Sequence, residues 1–318
     1  MGRAPSLNET SRSARISGAS SVTGAIGADV WDALPLSRKE FVARALQQGA
    51  AHHRDLPWRY IDDAYGVLVS EVMLQQTQVA RVIHYWERFL RAFPTVDALA
   101  AAATADVLEL WQGLGYNRRA LMLKRAAEAC SRAGGSLPEA YEELIALPGI
   151  GPATAAGVRA FAFQKPGVYL ETNVRTVFLH ELFADRDGVT DKELVPLVAD
   201  ACPDDDPRGW YYALLDYGAA LKAEGKNASR RSAHYARQSA FEGSRRQKRA
   251  WIVRRVLAAT DGVDEVQVLA ELNEEEASCG RCAVDEELFA SIVDDLVREG
   301  FFERKGEAGS WALSNCSS

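Results

Sequence analysis

A mostly α-helical fold, closed by a small winged-helix-like domain, is what this sequence predicts. Three observations carry the expectation. Apolar residues recur at spacings of three and four, as in Val67, Leu68, Val72 and Leu74 and on to Val79, Val82 and Ile83, which is the period of a helix with one buried face. Loops marked by Pro or Gly interrupt the run, such as Phe93-Pro94-Thr95 and Gly134-Gly135-Ser136-Leu137-Pro138. The C-terminal stretch reads as helices over Trp251–Ala259, Val266–Leu272 and Glu286–Glu299, followed by a hairpin of Phe301–Arg304 and Ser310–Leu313.

In chain order this gives a tail over residues 1–30, a helical domain over 31–244 and the winged-helix-like domain over 245–318. The stretch Met1–Ala28 is rich in Ser, Ala and Gly and nearly free of large apolar residues, so it is read as disordered. Its Arg3, Arg12 and Arg15 with few acids also fit a transit peptide, and a flexible tail is the simpler reading. With 47% hydrophobic and 25% charged residues overall, the rest is expected to fold. Apolar runs fall well short of a membrane span, and no charged start with an apolar core is present, so no membrane association is expected. The five cysteines are few and scattered, as in a reducing cytosol. Cys279-Gly280-Arg281-Cys282 is a lone CxxC, and a zinc site needs four ligands, so no metal is expected there.

The net charge of −7 argues against a nucleic-acid partner until the charge is located. From Lys226 to Arg255 stand Lys226, Arg230, Arg231, Arg237, Arg245, Arg246, Lys248, Arg249, Arg254 and Arg255, with Glu242 the only acid among them. A phosphate backbone responds to such a local face rather than to the chain total; the alternative is a solvated helical face. The last predicted helix is acidic (Asp285, Glu286, Glu287, Asp294 and Asp295). It is a poor face for a major groove, and a packing or partner role is expected of it.

Three constellations carry chemistry. In Leu147-Pro148-Gly149-Ile150-Gly151-Pro152-Ala153-Thr154-Ala155 a helix ends near Ala146, two glycines turn the chain, and Pro152 sits at a first helical position. Such a turn offers backbone N–H groups at a helix N-terminus to one phosphate, with Gly149, Ile150 and Gly151 as contacts. The same turn is a candidate site for a monovalent cation, and a plain helix–turn–helix connection is the alternative. In Ser70-Glu71-Val72-Met73-Leu74-Gln75-Gln76-Thr77-Gln78-Val79, Glu71 lies at an apolar helix start. Apolar surroundings raise a carboxyl pKa and make it a general acid near neutrality. Gln75 and Gln76 offer amides that could read base edges or fill the gap left by an extruded base. A capped helix with a buried ion pair is the alternative. In Tyr169-Leu170-Glu171-Thr172-Asn173-Val174, a second carboxylate on an extended segment could face the first across a cleft. Two carboxylates flanking a glycosidic bond is the logic of sugar–base or sugar–sugar hydrolysis: one protonates the leaving group, the other steadies the sugar cation.

Together with Leu56-Pro57-Trp58-Arg59 and Trp111-Gln112-Gly113-Leu114-Gly115-Tyr116, these stretches resemble the helix-hairpin-helix (HhH-GPD) DNA glycosylase superfamily, and within it the MutY-type adenine DNA glycosylases, over about Leu34–Gly218. The resemblance implies a two-lobed helix-hairpin-helix glycosylase fold and a monofunctional enzyme of base excision repair. That enzyme would remove adenine mispaired with guanine or 8-oxoguanine from double-stranded DNA, acting as a monomer in the cytoplasm at the nucleoid. It implies that Glu71 protonates the adenine, Gln76 wedges into the base stack, Tyr116 probes the opposite strand, and Asn173 stands beside the second carboxylate. That carboxylate is an aspartate in the family and Glu171 here, a departure of one methylene. Related endonuclease III enzymes carry a Schiff-base lysine where this chain has Ala153, which implies base removal without an efficient strand-cleaving step. The family's four cluster cysteines fall on Lys222, Ser229, Ser232 and Gln238, so the iron–sulfur cluster is expected to be absent. The basic stretch Ser229–Arg249, Arg245 and Arg246 included, is expected to supply phosphate contacts instead. Glu171, Ala153 and the absence of a recognisable 8-oxoguanine-reading domain leave two alternatives: a glycosylase for another mismatched or damaged base, and a non-catalytic DNA-binding protein on the same scaffold.

Overall fold

The structure is a computed structural model that describes residues 29–233, 235, 240–259, 261–307 and 310–314; the tail expectation falls almost wholly outside them. Among the described residues twelve α-helices form the first part: α1 (Asp29–Asp32), α2 (Arg38–Ala51), α3 (Ala64–Leu74), α4 (Val79–Ala92), α5 (Val96–Ala101), α6 (Thr104–Trp111), α7 (Arg118–Arg132), α8 (Tyr141–Ala146), α9 (Pro152–Phe161), α10 (Thr172–Leu182), α11 (Asp191–Ala201) and α12 (Pro207–Ala223). Local chemistry sets several starts. Ser37 and Glu40 close a capping box on α2, Asp63 accepts from Tyr65 and Gly66 at the head of α3, and Thr95 accepts from Ala98 at α5.

Helices α3 to α8 build one lobe, with α5 and α6 against α7 and α3 against α4 and α7. Its core holds Phe89, Leu99, Leu108 and Trp111, all buried, with Phe89 and Trp111 ring to edge at 5.8 Å. Helices α2, α10 and α12 build the other, around Phe41, Phe178 and Trp210. Each such side chain contributes about 1.5–3 kcal/mol on burial. Helix α9 touches both lobes, α3 on one side and α12 on the other. A buried charge cluster also pins the lobes: Arg59, at the end of the Pro57–Arg59 turn, makes two hydrogen bonds of 2.7 Å to Asp216 of α12, and Arg54 adds one of 2.6 Å.

The periodic apolar run does not make one helix. It breaks between Leu74 and Val79, where Gln76 takes φ +53°, so Glu71 stands in the last turn of α3 rather than at a helix start. The break is held by Arg119, which donates to the carbonyls of Val72, Met73 and Gln75 at 2.7, 3.0 and 2.5 Å. A cation on the last carbonyls ends a helix well.

The C-terminal unit comprises α13 (Arg245–Leu257), β1 (Val263–Asp264), α14 (Glu265–Ser278), α15 (Glu286–Glu299), β2 (Glu303–Glu307) and β3 (Ser310–Ser314), with an antiparallel sheet ordered β1-β3-β2. Three helices and a hairpin match the expectation, with two corrections. Helix α13 begins six residues early because Ser244 caps it by accepting from Gln247 at 3.2 Å. Strand β2 begins at Glu303, while Phe301 and Phe302 are buried anchors ahead of it. Part of the basic run is paired within the protein. Arg245 is taken up by Asp295 at 2.5 Å, Lys248 by Glu276 and Arg249 by Glu299 at 2.8 Å each, and Arg255 by Glu271. The acidic helix therefore packs against the basic one. Among the described residues no helix is long and apolar enough to cross a membrane.

Candidate active site and nucleic-acid interface

Two carboxylates meet where the lobes join. Glu71 rises from the last turn of α3, and Glu171 is the residue just ahead of α10. Each keeps a partial opening to solvent. Glu71 stands over an aromatic wall in which Tyr169 lies edge-on to Phe161 and Tyr211, and Tyr212 stacks on Phe161 at 4.4 Å. Burial against this wall pushes the Glu71 carboxyl up to about 8, against the opposing effect of a hydrogen bond from Tyr169; the nearby Glu171 charge raises it further. The Tyr169 hydroxyl is itself pushed far up, by burial and then by both carboxylates, so it stays a donor.

Helix α9 approaches Glu71 so closely that any side chain at residue 157 would press on its carboxylate. A Cβ there would lie 2.4 Å from Glu71 Oε2 and 2.8 Å from Tyr169 Cε2, inside van der Waals contact. Neither Gly157 nor Tyr169 is singled out by the sequence reasoning. The signal available was the small-residue run of α9, which reads equally as ordinary helix packing.

Glu171 absorbs its extra methylene by folding back on its own helix. Its Oε1 accepts from the backbone of Asn173 and, at 2.8 Å, of Val174, and its Oε2 accepts from Asn173 Nδ2 at 3.3 Å. Burial raises the Glu171 carboxyl; the Val174 N–H, the Lys222 charge, the Asn173 N–H and Arg175 act against it. The pair is thus asymmetric: one carboxyl in an apolar niche, the other supported by a helix N-terminus and cations, as acid and charge-stabiliser roles require.

The expected DNA contacts gather round a cavity of about 770 Å³, lined by Gln75, Gln76, Tyr116, Gly149, Ile150 and Arg246 among others. Gln75 Nε2 donates to Thr154 Oγ1 of α9 at 3.2 Å. Gln76 and Tyr116 both hold left-handed backbones, φ +53° and +50°, strain that non-glycine residues adopt at functional loops. Arg119, unforeseen from sequence, ties these loops together through Gln75, Thr77 and Gly115. Arg246 of α13 donates to the Tyr116 hydroxyl at 2.9 Å and lies over the Tyr116 and Phe241 rings at 5.4 Å each. One expected contact stands elsewhere: Arg245 points to Asp295 of α15. Ile150 lines the cavity but is buried with its N–H given to Leu147, so it shapes the turn.

That turn folds as expected, with α8 ending at Ala146 and α9 starting at Pro152. Gly149 takes φ +74°, and a Cβ would strike Met122 Cβ at 2.4 Å; beside Gly151 a Cβ would meet nothing within 4 Å. The space beside Gly151 at the head of α9 is therefore open, and the first N–H groups of that helix have no intrahelical acceptor. The residues at the cluster positions do not fit iron: Lys222 Nζ is bonded to Asn173 Oδ1 and Ser229 Oγ to Asn227, and neither is a thiolate. Ser232 is no thiolate either, and Gln238 lies outside the described residues, as does Arg237 of the basic run. Among the described residues no three His, Cys, Asp or Glu side chains are grouped to hold a metal.

Residues 69–199 match the family model described as "HhH-GPD superfamily base excision DNA repair protein". A protein named adenine DNA glycosylase from Mycobacterium tuberculosis is 46% identical over 127 residues, 39% of this chain and 42% of that one. One of the same name from Mycolicibacterium smegmatis is 39% identical over 171 residues, covering 53% and 58%. The chain thus spans about half the length of these relatives. A solved thermostable thymine-DNA glycosylase superposes with a TM-score of 0.53 at 25% identity, over 60% of this chain and 90% of that one. Over residues 69–199 this chain is therefore similar to the HhH-GPD superfamily, and the relatives named above are adenine DNA glycosylases.

Proposed function

We propose that this protein is a monofunctional DNA glycosylase that hydrolyses the bond between sugar and base at an adenine mispaired with guanine or 8-oxoguanine. The observation that carries the proposal is the asymmetric carboxyl pair: Glu71 kept protonated near neutrality beside a Glu171 held at a helix N-terminus. The names of the mycobacterial relatives support adenine as the base.

In this reading the open N-terminus of α9 takes one phosphate, and the cavity lined by Gln76, Tyr116 and Arg246 takes the strand left behind. The target nucleotide swings out of the stack, at a cost of a few kcal/mol. Glu71 gives its proton to the base as the bond breaks, Glu171 stabilises the sugar cation, and water completes the reaction. Ala153 offers no amine at the hairpin, so the abasic product is released uncut. The protein works as a monomer and without an iron–sulfur cluster. A second reading, removal of thymine opposite guanine, is favoured by the likeness to the thymine-DNA glycosylase structure and by the departures at Glu171 and Ala153.

Duplexes holding A:G, A:8-oxoguanine, T:G or no mispair, incubated with wild type and Glu71→Gln, test both. Adenine released by wild type alone supports the proposal. Thymine release with adenine untouched establishes the second reading, and no base released from any duplex refutes both.

A further inference from the structure

Lys222 stands at the far side of the second carboxylate. It lies in the last turn of α12, one helical repeat after Gly218. A Cβ at Gly218 would meet the Asn173 carbonyl oxygen at 2.3 Å and Asn173 Cβ at 2.7 Å, so glycine there lets α12 touch the start of α10. Residues four apart share a helix face, which puts Lys222 beside the Asn173 side chain, and its Nζ donates to Asn173 Oδ1 at 2.7 Å.

An ammonium has three donors and no acceptor, so it can face the amide oxygen only. With Oδ1 fixed on Lys222, the Asn173 amide must present Nδ2 to Glu171, where it donates at 3.3 Å. The amide turned over would set its oxygen against the carboxylate. We propose that Lys222 is a positioning residue that locks the Asn173 amide, and through it holds the Glu171 carboxylate in place and ionised for the stabilisation of a sugar cation. The inference rests on the glycosylase reading of the site.

The surrounding charges favour this role. Lys222 is faced by Glu171 just ahead of α10, by Arg175 of α10 and by Arg54 beyond α2. Arg175 is engaged bidentately by Asp191 at 2.8–2.9 Å and Arg54 by Asp216 at 2.6 Å, which leaves Lys222 as the cation turned to Asn173. Burial lowers the Lys222 ammonium and Glu171 supports it, while its charge counts among the influences that lower Glu171.

The test needs no substrate at first. In full-length protein labelled with nitrogen-15 at asparagine, the Asn173 side-chain amide pair reports ionisation of Glu171 as pH is varied. Lys222→Met is expected to raise that midpoint by about one pH unit, and Lys222→Arg, which keeps charge and donors, to restore it. On an adenine-mispair duplex, Lys222→Met lowers the single-turnover rate by about 10²-fold, moves the acid limb of the pH–rate profile upward, and leaves duplex affinity within about twofold. An amide midpoint unchanged in Lys222→Met, or Lys222→Met and Lys222→Arg equally impaired with equal loss of melting temperature, overturns the positioning role. Failure of the wild type to release any base overturns the glycosylase reading instead, and the amide titration still decides the role of Lys222.

Discussion

Glu71 carries a stability penalty that a single substitution exposes. Its carboxyl is pushed up to about 8 from an ordinary 4.5, so between those values the native state holds a proton that the unfolded chain has released. A carboxyl raised on folding contributes stability that is fully present below the unfolded value and lost as pH climbs through the folded one. The full interval is about 3.5 pH units, ~5 kcal/mol at 1.36 kcal/mol each. The partial opening of Glu71 to solvent reduces this to about 2–3 kcal/mol. Glu71→Gln keeps the shape, still accepts from Tyr169, and has no charge to lose. Urea unfolding of both proteins at about pH 5 and pH 8 measures the effect, with all other titrating groups common to the two. The variant is expected to gain about 2–3 kcal/mol over wild type between the two pH values. A difference that does not change with pH would mean that Glu71 ionises normally and that the apolar niche does not govern it.

Other substitutions probe the elements around the pair. Gly157→Ala gains up to ~1 kcal/mol of helix propensity but drives a methyl onto Glu71 Oε2 at 2.4 Å. Little change in melting temperature with a single-turnover rate reduced about 10²-fold is expected, and an unaltered rate would show the carboxyl has room to move. Arg119→Ala strips donors from the carbonyls of Val72, Met73, Gln75 and Gly115. Chemical denaturation is expected to give a loss of about 2–4 kcal/mol, incompletely recovered by Arg119→Lys. Arg246→Ala is expected to weaken duplex binding and reduce its salt dependence by about one ion, with the single-turnover rate preserved; fluorescence anisotropy across salt concentrations checks it, and an unchanged slope would remove α13 from the interface.

Much of this was legible in the sequence for physical reasons. The hairpin could be read to the residue because glycine adopts at no steric cost the left-handed backbone that Gly149 takes, and proline suits the first helical position at 152, and α8 and α9 end and begin where they require. Helix α15 was read correctly because its apolar stripe and acidic start are both local. The break after Leu74 was not legible. No glycine or proline marks it, and what ends α3 is Arg119, more than forty residues away in the chain. Within the basic run three residues could not be read, because a sequence shows charge without its partner: Arg245, Lys248 and Arg249 are neutralised by Asp295, Glu276 and Glu299, all from helices that come later in the chain. Glu71 and Glu171 were found, yet their difference in environment depends on Tyr169, Gly157 and Lys222, which only the packed helices bring to them.

Base release in this mechanism depends on a neutral carboxyl at position 71 delivering its proton to the departing base. The most direct measurement is the single-turnover rate of adenine release as a function of pH, with Glu71→Gln alongside. The rate should hold through neutrality and fall as pH passes about 8, with the variant inactive throughout. A rate that stays level to about pH 10, or a variant that matches wild type, would contradict it.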